Sequence, residues 1–262
     1  YTARVSASAA RWTATSAPAS ALIGGAPPPL WPDIYQPVGD TLAARPAIVW
    51  IHGGGFVGGS RGDLADIATA YARRGYVTFS IDYRLDRGSR CGAVQDGVTD
   101  PQVVARCAAV IAAAQEDALD AIRWVRDNAA TYRIDTTRVA VGGGPPGAGT
   151  APNVAQNANP THGPVRGRIK VGAALAVSGC QYDLSSIDAN DAPISMVHAG
   201  GDRTVPYSCA VATVDRVKSF ATIARRIFYP DESRHGLALY DAHRVTVDAS
   251  WTGFLKARLG LP

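Results

Sequence analysis

The chain has 262 residues, a hydrophobic fraction of 47% and a formal net charge of +4. This length suits one large domain with a substantial core, and no run of about 18 apolar residues indicates a membrane span. The arginines are scattered and no nucleic-acid-binding motif is present, so the composition argues against a nucleic-acid partner. Residues 1–32 are rich in Ala, Ser and Pro, and we expect this N-terminal extension to pack on the surface or to form an edge hairpin.

A buried strand is predicted at residues 47–51, which run directly into the sequence His-Gly-Gly-Gly-Phe at 52–56. Successive glycines adopt conformations closed to other residues and let main-chain N–H groups approach a ligand closely. In acyl transfer, each such donor stabilises the oxyanion by roughly 3–4 kcal/mol. A glycine triplet alone favours a tight loop without a ligand, but its place after a buried strand favours an oxyanion loop with Gly54 and Gly55 as donors.

Apolar strands alternate with helical segments along the rest of the chain. The first predicted helix covers 63–74, with Leu64, Ile67, Ala68 and Tyr71 on one face. Further helices are predicted at 118–132 and 241–259, and strands at 76–81, 138–143, 171–177, 194–198 and 225–229. This alternation predicts an α/β fold, a mostly parallel sheet with helices on both faces, in a single domain over 1–262.

Two segments carry more specific expectations. Residues 86–115 are expected to form a loop or cap insertion over the site. The last helix is expected to pack Val245, Trp251, Phe254 and Leu255 in part on the sheet.

These motifs resemble the α/β-hydrolase superfamily, specifically the esterases and lipases that carry an HGGG oxyanion loop. The resemblance extends from about Asp33 onward and includes Asp-Tyr-Arg-Leu at 82–85. It implies the α/β-hydrolase fold and a carboxylic ester hydrolase that works through an acyl-enzyme, without a cofactor or metal. In this family the nucleophile, the acid and the histidine follow one another along the chain.

The family's nucleophile elbow, G-x-S-x-G, aligns with Gly-Gly-Pro-Pro-Gly at 143–147, so Pro145 stands at the position of the serine. Proline has no hydroxyl, and no acyl-enzyme forms there. Pro146 stands where the residue after the nucleophile donates a further oxyanion N–H, which proline lacks. Pro152 falls inside the helix expected to follow, where proline costs roughly 3 kcal/mol. If Pro145 and Pro146 are genuine, the chain is predicted to be hydrolytically inactive.

Three origins of this turn are open: a natural non-hydrolytic relative, an inactivated variant, or an error in the sequence. Other hydroxyl residues are poor substitutes for the missing nucleophile. Ser60, in Gly-Gly-Ser-Arg-Gly at 58–62, follows a loop rather than a strand and is expected to cap the helix at 63–74. Ser178 follows the wrong strand, and Thr150 lies inside a predicted helix.

The other two members of a triad match the family better. Asp202 follows the predicted strand 194–198, and His235 follows the predicted strand 225–229. An aspartate that accepts from imidazole fixes its tautomer and supports the imidazolium. Taken alone, Asp202 is explained as a turn or capping aspartate and His235 as a surface histidine. Taken together, their order along the chain favours a catalytic pair. The substrate, a small-molecule or lipid ester, is expected along Phe56, Val57 and Leu237.

Four cysteines are compatible with two disulfides and an oxidising compartment, with three possible connectivities. We expect Cys91–Cys107 and Cys180–Cys209, since each pair brackets a loop outside the sheet; the alternative is four buried free thiols. Zinc is not expected, because no C-x-x-C pair occurs. The first residue is not Met and no leader is visible, which predicts a secreted or extracytoplasmic chain whose signal peptide has been removed.

Two functions therefore compete. One is a secreted carboxylesterase or lipase, with His235 as base, Asp202 orienting it and the glycine loop as donor. The other is a catalytically silent binder of a hydrophobic ligand or partner, or an acid–base catalyst that uses His235 alone.

Overall fold

Eight strands form one sheet in the computed structural model, which describes residues 2–7, 30–144, 147–156 and 169–260. In chain order the strands are β1 (Thr2–Ala7), β2 (Pro32–Val38), β3 (Arg45–Ile51), β4 (Val77–Ile81), β5 (Ile134–Gly143), β6 (Ala173–Val177), β7 (Ile194–Ala199) and β8 (Ala224–Tyr229). Across the sheet the order is β1-β2-β4-β3-β5-β6-β7-β8. The pairs β1–β2 and β2–β4 are antiparallel, and all others are parallel. The prediction of a mostly parallel sheet is confirmed.

Helices connect the parallel strands. They are α1 (Ala65–Ala72), α2 (Cys91–Gln95), α3 (Pro101–Asp127), α4 (Ala129–Tyr132), α5 (Gly147–Gln156), α6 (Tyr207–Ser219), α7 (Leu237–Ala242) and α8 (Arg244–Leu259). Short 3-10 turns lie at Arg61–Leu64 and Leu184–Ser186. The residues predicted to share one face at 63–74 are all buried.

The core has two layers, one on each face of the sheet. Val49 and Ile51 of β3 belong to the layer covered by α3, α5 and α6. Ile48 and Trp50, which point the other way, belong to the layer covered by α1, α7 and α8. Every residue of β3 is therefore buried, as expected for a strand covered on both faces.

The described sheet ends at β8, and this edge differs from the centre. Arg225 and Arg226 are exposed there, and no residue of β8 is fully buried.

The structure corrects the predicted start of the long helix. α3 begins at Pro101 rather than at residue 118, so residues 101–115 are helical and not a loop. The Asp100 side chain accepts the N–H groups of Gln102 and Val103, and Pro101 occupies the first helical position, where its missing N–H costs nothing. This start signal precedes an alanine-rich run, and alanine has the highest helix propensity.

The prediction that Val245 packs on the sheet is wrong, because its side chain is 86% exposed. The helical region is interrupted at His243, and α8 starts at Arg244. Trp251, Phe254 and Leu255 are buried as predicted, and Val247, four positions before Trp251, lies on their face in place of Val245.

A buried ion pair joins α3 to the segment after β4. The guanidinium Nε of Arg84 lies 3.0 Å from both carboxylate oxygens of Asp117, whose side chain has no exposed area. The Arg84 main-chain N–H also donates to Asp117, at 2.7 Å. Burial raises the pKa of Asp117 to about 6, so the carboxyl is mostly ionised at pH 7. Glu116 pairs with the same arginine at 2.8 Å but is partly exposed.

We expect Asp117→Asn to lower the free energy of unfolding by about 3–5 kcal/mol, because it removes the fully buried counter-charge of Arg84 and leaves only the partly exposed Glu116. The matched control, Glu116→Gln, removes a partly solvated partner of the same arginine and should cost no more than about 1 kcal/mol. Urea unfolding of both variants measures the difference. Equal losses would show that burial does not distinguish the two carboxylates.

Candidate active site

His235 and Asp202 meet at the carboxyl edge of the parallel sheet. Asp202 lies in the turn after β7, and His235 lies in the loop between β8 and α7. The Nδ1 atom of His235 is 2.8 Å from Oδ2 and 3.0 Å from Oδ1 of Asp202. The carboxylate only accepts, so Nδ1 carries the proton and Nε2 is left as the basic nitrogen. The histidine is partly exposed, whereas the Asp202 side chain has no exposed area.

Main-chain donors surround the rest of the Asp202 carboxylate. The N–H groups of Thr204 and Val205 donate to Oδ1 at 2.8 and 3.1 Å. Burial raises the pKa of Asp202, but the hydrogen bonds from His235, Val205 and Thr204 outweigh it and hold the pKa below its usual value. The carboxylate is therefore ionised at neutral pH and available to support a positive imidazole.

A second histidine, which the sequence interpretation missed, lies beside the same carboxylate. His198, at the end of β7, is fully buried, and its Nε2 is 3.0 Å from the Val205 carbonyl oxygen. The same nitrogen is 3.6 Å from Oδ2 of Asp202. Burial lowers the pKa of His198, so it is neutral and donates from Nε2. A polar residue at the end of an otherwise apolar strand, four positions before Asp202, was the available signal.

Hydrogen bonds accepted by its main-chain carbonyl groups fix the conformation of the glycine loop after β3. His52 Nδ1 lies 2.7 Å from the Gly53 carbonyl oxygen, and the Tyr83 hydroxyl lies 3.3 Å from that of His52. The Gly54 carbonyl accepts main-chain N–H groups from Val57 and from Gly58, each at 3.1 Å. These bonds turn the carbonyls of Gly53 and Gly54 towards the protein.

Gly54 and Gly55, the predicted oxyanion donors, are exposed at this edge and have φ values of +112° and +66°. A Cβ on Gly54 would overlap the Gly58 carbonyl, so only glycine fits there.

The predicted pocket residues lie in different environments. Phe56 is buried below the glycine loop, with its ring edge-on to Tyr83. Val57 is 38% exposed. Leu237 is partly buried beside Gly144, where a Cβ would lie 3.7 Å from its Cδ2 atom. Leu237, in the segment after His235, therefore lies close to Gly144, which immediately precedes position 145.

Pro145 and Pro146 lie outside the described residues. Their flanks are described: β5 ends at Gly143 and α5 starts at Gly147. A buried strand followed within a few residues by a helix is the sequence context of a nucleophile elbow. Helix α5 continues through Pro152, since Ala151, Val154 and Ala155 bury their side chains in the core and offset its low helix propensity.

The other hydroxyl groups are engaged in local structure. The Ser60 N–H and hydroxyl both donate to the Asp63 carboxylate, at 3.0 and 3.3 Å, as expected for a capping residue. Thr150 is buried inside α5. Ser178 is also buried, and its Oγ accepts the Gly236 N–H at 3.0 Å.

The prediction of two disulfides agrees with the structure, which joins Cys91 to Cys107 and Cys180 to Cys209. The first ties α2 to α3, and the second ties the segment after β6 to α6. Among the described residues, no group of three or more His, Cys, Asp or Glu is arranged to hold a metal. Nor does any helix within that part of the chain have the length and apolarity to span a membrane.

Comparisons with known proteins match this architecture. Residues 32–100 match the family model described as BD-FAE, and residues 107–205 match the one described as alpha/beta hydrolase fold. Over 117 residues the chain is 35% identical to phenmedipham hydrolase of Pseudarthrobacter oxydans. That match covers 44% of this chain but only 20% of the relative.

Solved esterases share the whole fold. Thermogutta terrifontis esterase 2 phosphorylated by paraoxon superposes with a TM-score of 0.71 at 22% identity, over 90% of this chain and 92% of that chain. The native form of the same esterase gives a TM-score of 0.69 at 21% identity, over 88% of both chains. Together with the two partial family-model matches, this structural likeness shows that the chain has the α/β-hydrolase fold.

Proposed function

We propose that this chain carries the site of a carboxylic ester hydrolase of the serine acyl-enzyme type, built for a small-molecule or lipid ester, with Pro145 at the position of the nucleophile. The observation that carries the proposal is the 2.8 Å contact between His235 Nδ1 and Asp202 Oδ2, at the sheet edge where β3 runs into the glycine loop. Nε2 of His235 is the base, Asp202 orients the ring, and the N–H groups of Gly54 and Gly55 receive the oxyanion.

The chemistry of such a site needs a hydroxyl at position 145. Nε2 of His235 takes the proton of that hydroxyl as its oxygen attacks the ester carbonyl, and then gives the proton to the departing alcohol. Water, deprotonated by the same nitrogen, attacks the acyl-enzyme; the bond to the oxygen of residue 145 breaks, that oxygen takes the proton back from Nε2, and the carboxylic acid leaves. The buried carboxylate of Asp202 supports the imidazolium in both halves of the reaction.

The sequence as it stands lacks two parts of this machinery. Pro145 has no hydroxyl, and Pro146 has no N–H to complete the donor set. With both prolines in place the proposed route does not turn over. A catalytically silent binder of a hydrophobic ligand, or acid–base chemistry by His235 alone, is then the alternative that the experiment below separates from hydrolysis.

Short acyl chains are the proposed substrate class. Thermogutta terrifontis esterase 2, which shares the fold, has been observed with propionate and with butyrate bound.

We also propose that residues 1–262 form a single catalytic domain and that the protein works outside the cytoplasm. The two disulfides support the second proposal, since such bonds persist in oxidising compartments.

Replacing both prolines should create the esterase. We expect no hydrolysis of p-nitrophenyl butyrate above background by the chain as written, and clear hydrolysis by the Pro145→Ser/Pro146→Ala double variant. Pro145→Ser alone should be about 10²–10³-fold slower than the double variant, because one oxyanion donor is still missing. Adding His235→Ala to the double variant is the control and should abolish the gain.

Fluorophosphonate labelling and peptide mapping across 138–155 complete the test. Labelling of the double variant at position 145 supports the proposal. Labelling of the chain as written would show that a serine acts there or elsewhere. A folded double variant that neither labels nor hydrolyses the ester contradicts the proposal and leaves the silent binder.

The contribution of Asp202 to stability should depend on pH. Its pKa is depressed in the folded state, so its stabilising effect is fully present above the unfolded value of about 3.9 and is lost as the pH falls through the lower folded value. We expect the difference in unfolding free energy between wild type and Asp202→Asn to be present above about pH 4 and to shrink as the pH falls below it. Asp215→Asn, at a mostly exposed carboxylate, is the control and should show little difference at any pH. A difference that grows as the pH falls below 4 would contradict the assignment.

A further inference from the structure

Ser178 occupies a strained position at the edge of the candidate site. It directly follows β6, is fully buried, and has a φ of +53°. This left-handed conformation is uncommon for a residue other than glycine, asparagine or aspartate. Such strain persists only where the surroundings impose it, and it is found preferentially at functional sites.

The Ser178 hydroxyl links two loops of the site. Its Oγ accepts the main-chain N–H of Gly236, the residue after His235, at 3.0 Å. Its own N–H donates to the Val197 carbonyl at 2.8 Å, which ties it to β7, the strand that leads to Asp202. One serine therefore connects the strand before the acid to the loop that carries the histidine.

Gly236 has little freedom of its own to place the neighbouring ring. Its φ of +62° and ψ of −138° lie in a region essentially restricted to glycine. Its carbonyl accepts the N–H groups of Leu239 and Tyr240 at the start of α7. Its N–H faces Ser178, so the hydroxyl there defines where the peptide following His235 lies.

We propose that Ser178 is a positioning residue for His235: its hydroxyl, through the Gly236 N–H, holds the imidazole against the Asp202 carboxylate. The proposal rests on the proposed function. A glycine at 178 would adopt φ +53° without strain but would leave the buried Gly236 N–H without this acceptor. The site thus keeps a strained serine where glycine is conformationally easier.

Ser178→Gly and Ser178→Ala form a matched pair for the test. Both remove the hydroxyl, but only alanine keeps the strain at positive φ, so their stabilities differ while their effects on His235 should agree.

The readout is the downfield NMR resonance of the Nδ1 proton of His235, assigned by its loss in His235→Ala. It is recorded on the chain as written and requires no turnover. We expect the proton to exchange with solvent about tenfold faster or more in both variants, because the loop opens locally more often. Ser195→Ala, at a buried serine of β7, is the control and should leave the exchange rate unchanged.

A kinetic arm separates this proposal from the proposed function. In the Pro145→Ser/Pro146→Ala background, both Ser178 variants should lower kcat by about tenfold or more, with KM within about twofold, because the base is displaced. Folded variants with unchanged proton exchange would overturn the positioning role. If the background has no esterase activity, the proposed function fails, and the exchange measurement still decides the role of Ser178.

Discussion

The buried carboxylate of Asp202 is the constraint on which the rest of the site depends. A charge without solvent is tolerated only where hydrogen-bond donors surround it. Thr204 and Val205 supply two donors from the acid's own turn, and His235 supplies the third from the loop after β8. Because one donor comes from a separate loop, that loop has to be held in place for the charge to remain stable. His198 and Ser178 contact the two sides of this arrangement.

The parallel register of the sheet brings these parts together. The strands β3, β5, β6, β7 and β8 are successive neighbours and end at the same edge. The glycine loop, Gly144, Ser178, Asp202 and His235 each follow one of these strands. Ligands of open α/β sheets bind in the crevice beyond the carboxyl ends of the strands. The same topology places the helices on both faces and leaves this edge for chemistry.

The sequence predicted those parts of the molecule whose structure depends on residues close together in the chain. The apolar run of β3, the glycine triplet and the inward face of Leu64 and Tyr71 depend on residues close together in the chain, and they were recognisable before the fold was known. Trp251, Phe254 and Leu255 of α8 were recognisable too, but Val245 was not part of their face, because Val247 lies four residues before Trp251 and is the valine buried there. Contacts between distant segments could not be predicted from the sequence. The sequence placed His198 at the end of a strand, and Ser178 was weighed only as a nucleophile. Their hydrogen bonds to Val205 and Gly236 exist only because neighbouring strands carry them to one edge.

The two edge strands of the described sheet, β1 and β8, differ in what they expose. β1 pairs along β2 with its whole length, whereas β8 presents the exposed Arg225 and Arg226 at the opposite margin, one towards each face of the sheet. Any polypeptide that docked there as a ninth strand would place its side chains beside a guanidinium group on each face and would partly desolvate both charges, which is costly. This margin therefore discourages fibrous self-association, even though its backbone offers an unfilled row of hydrogen-bonding groups within the described chain.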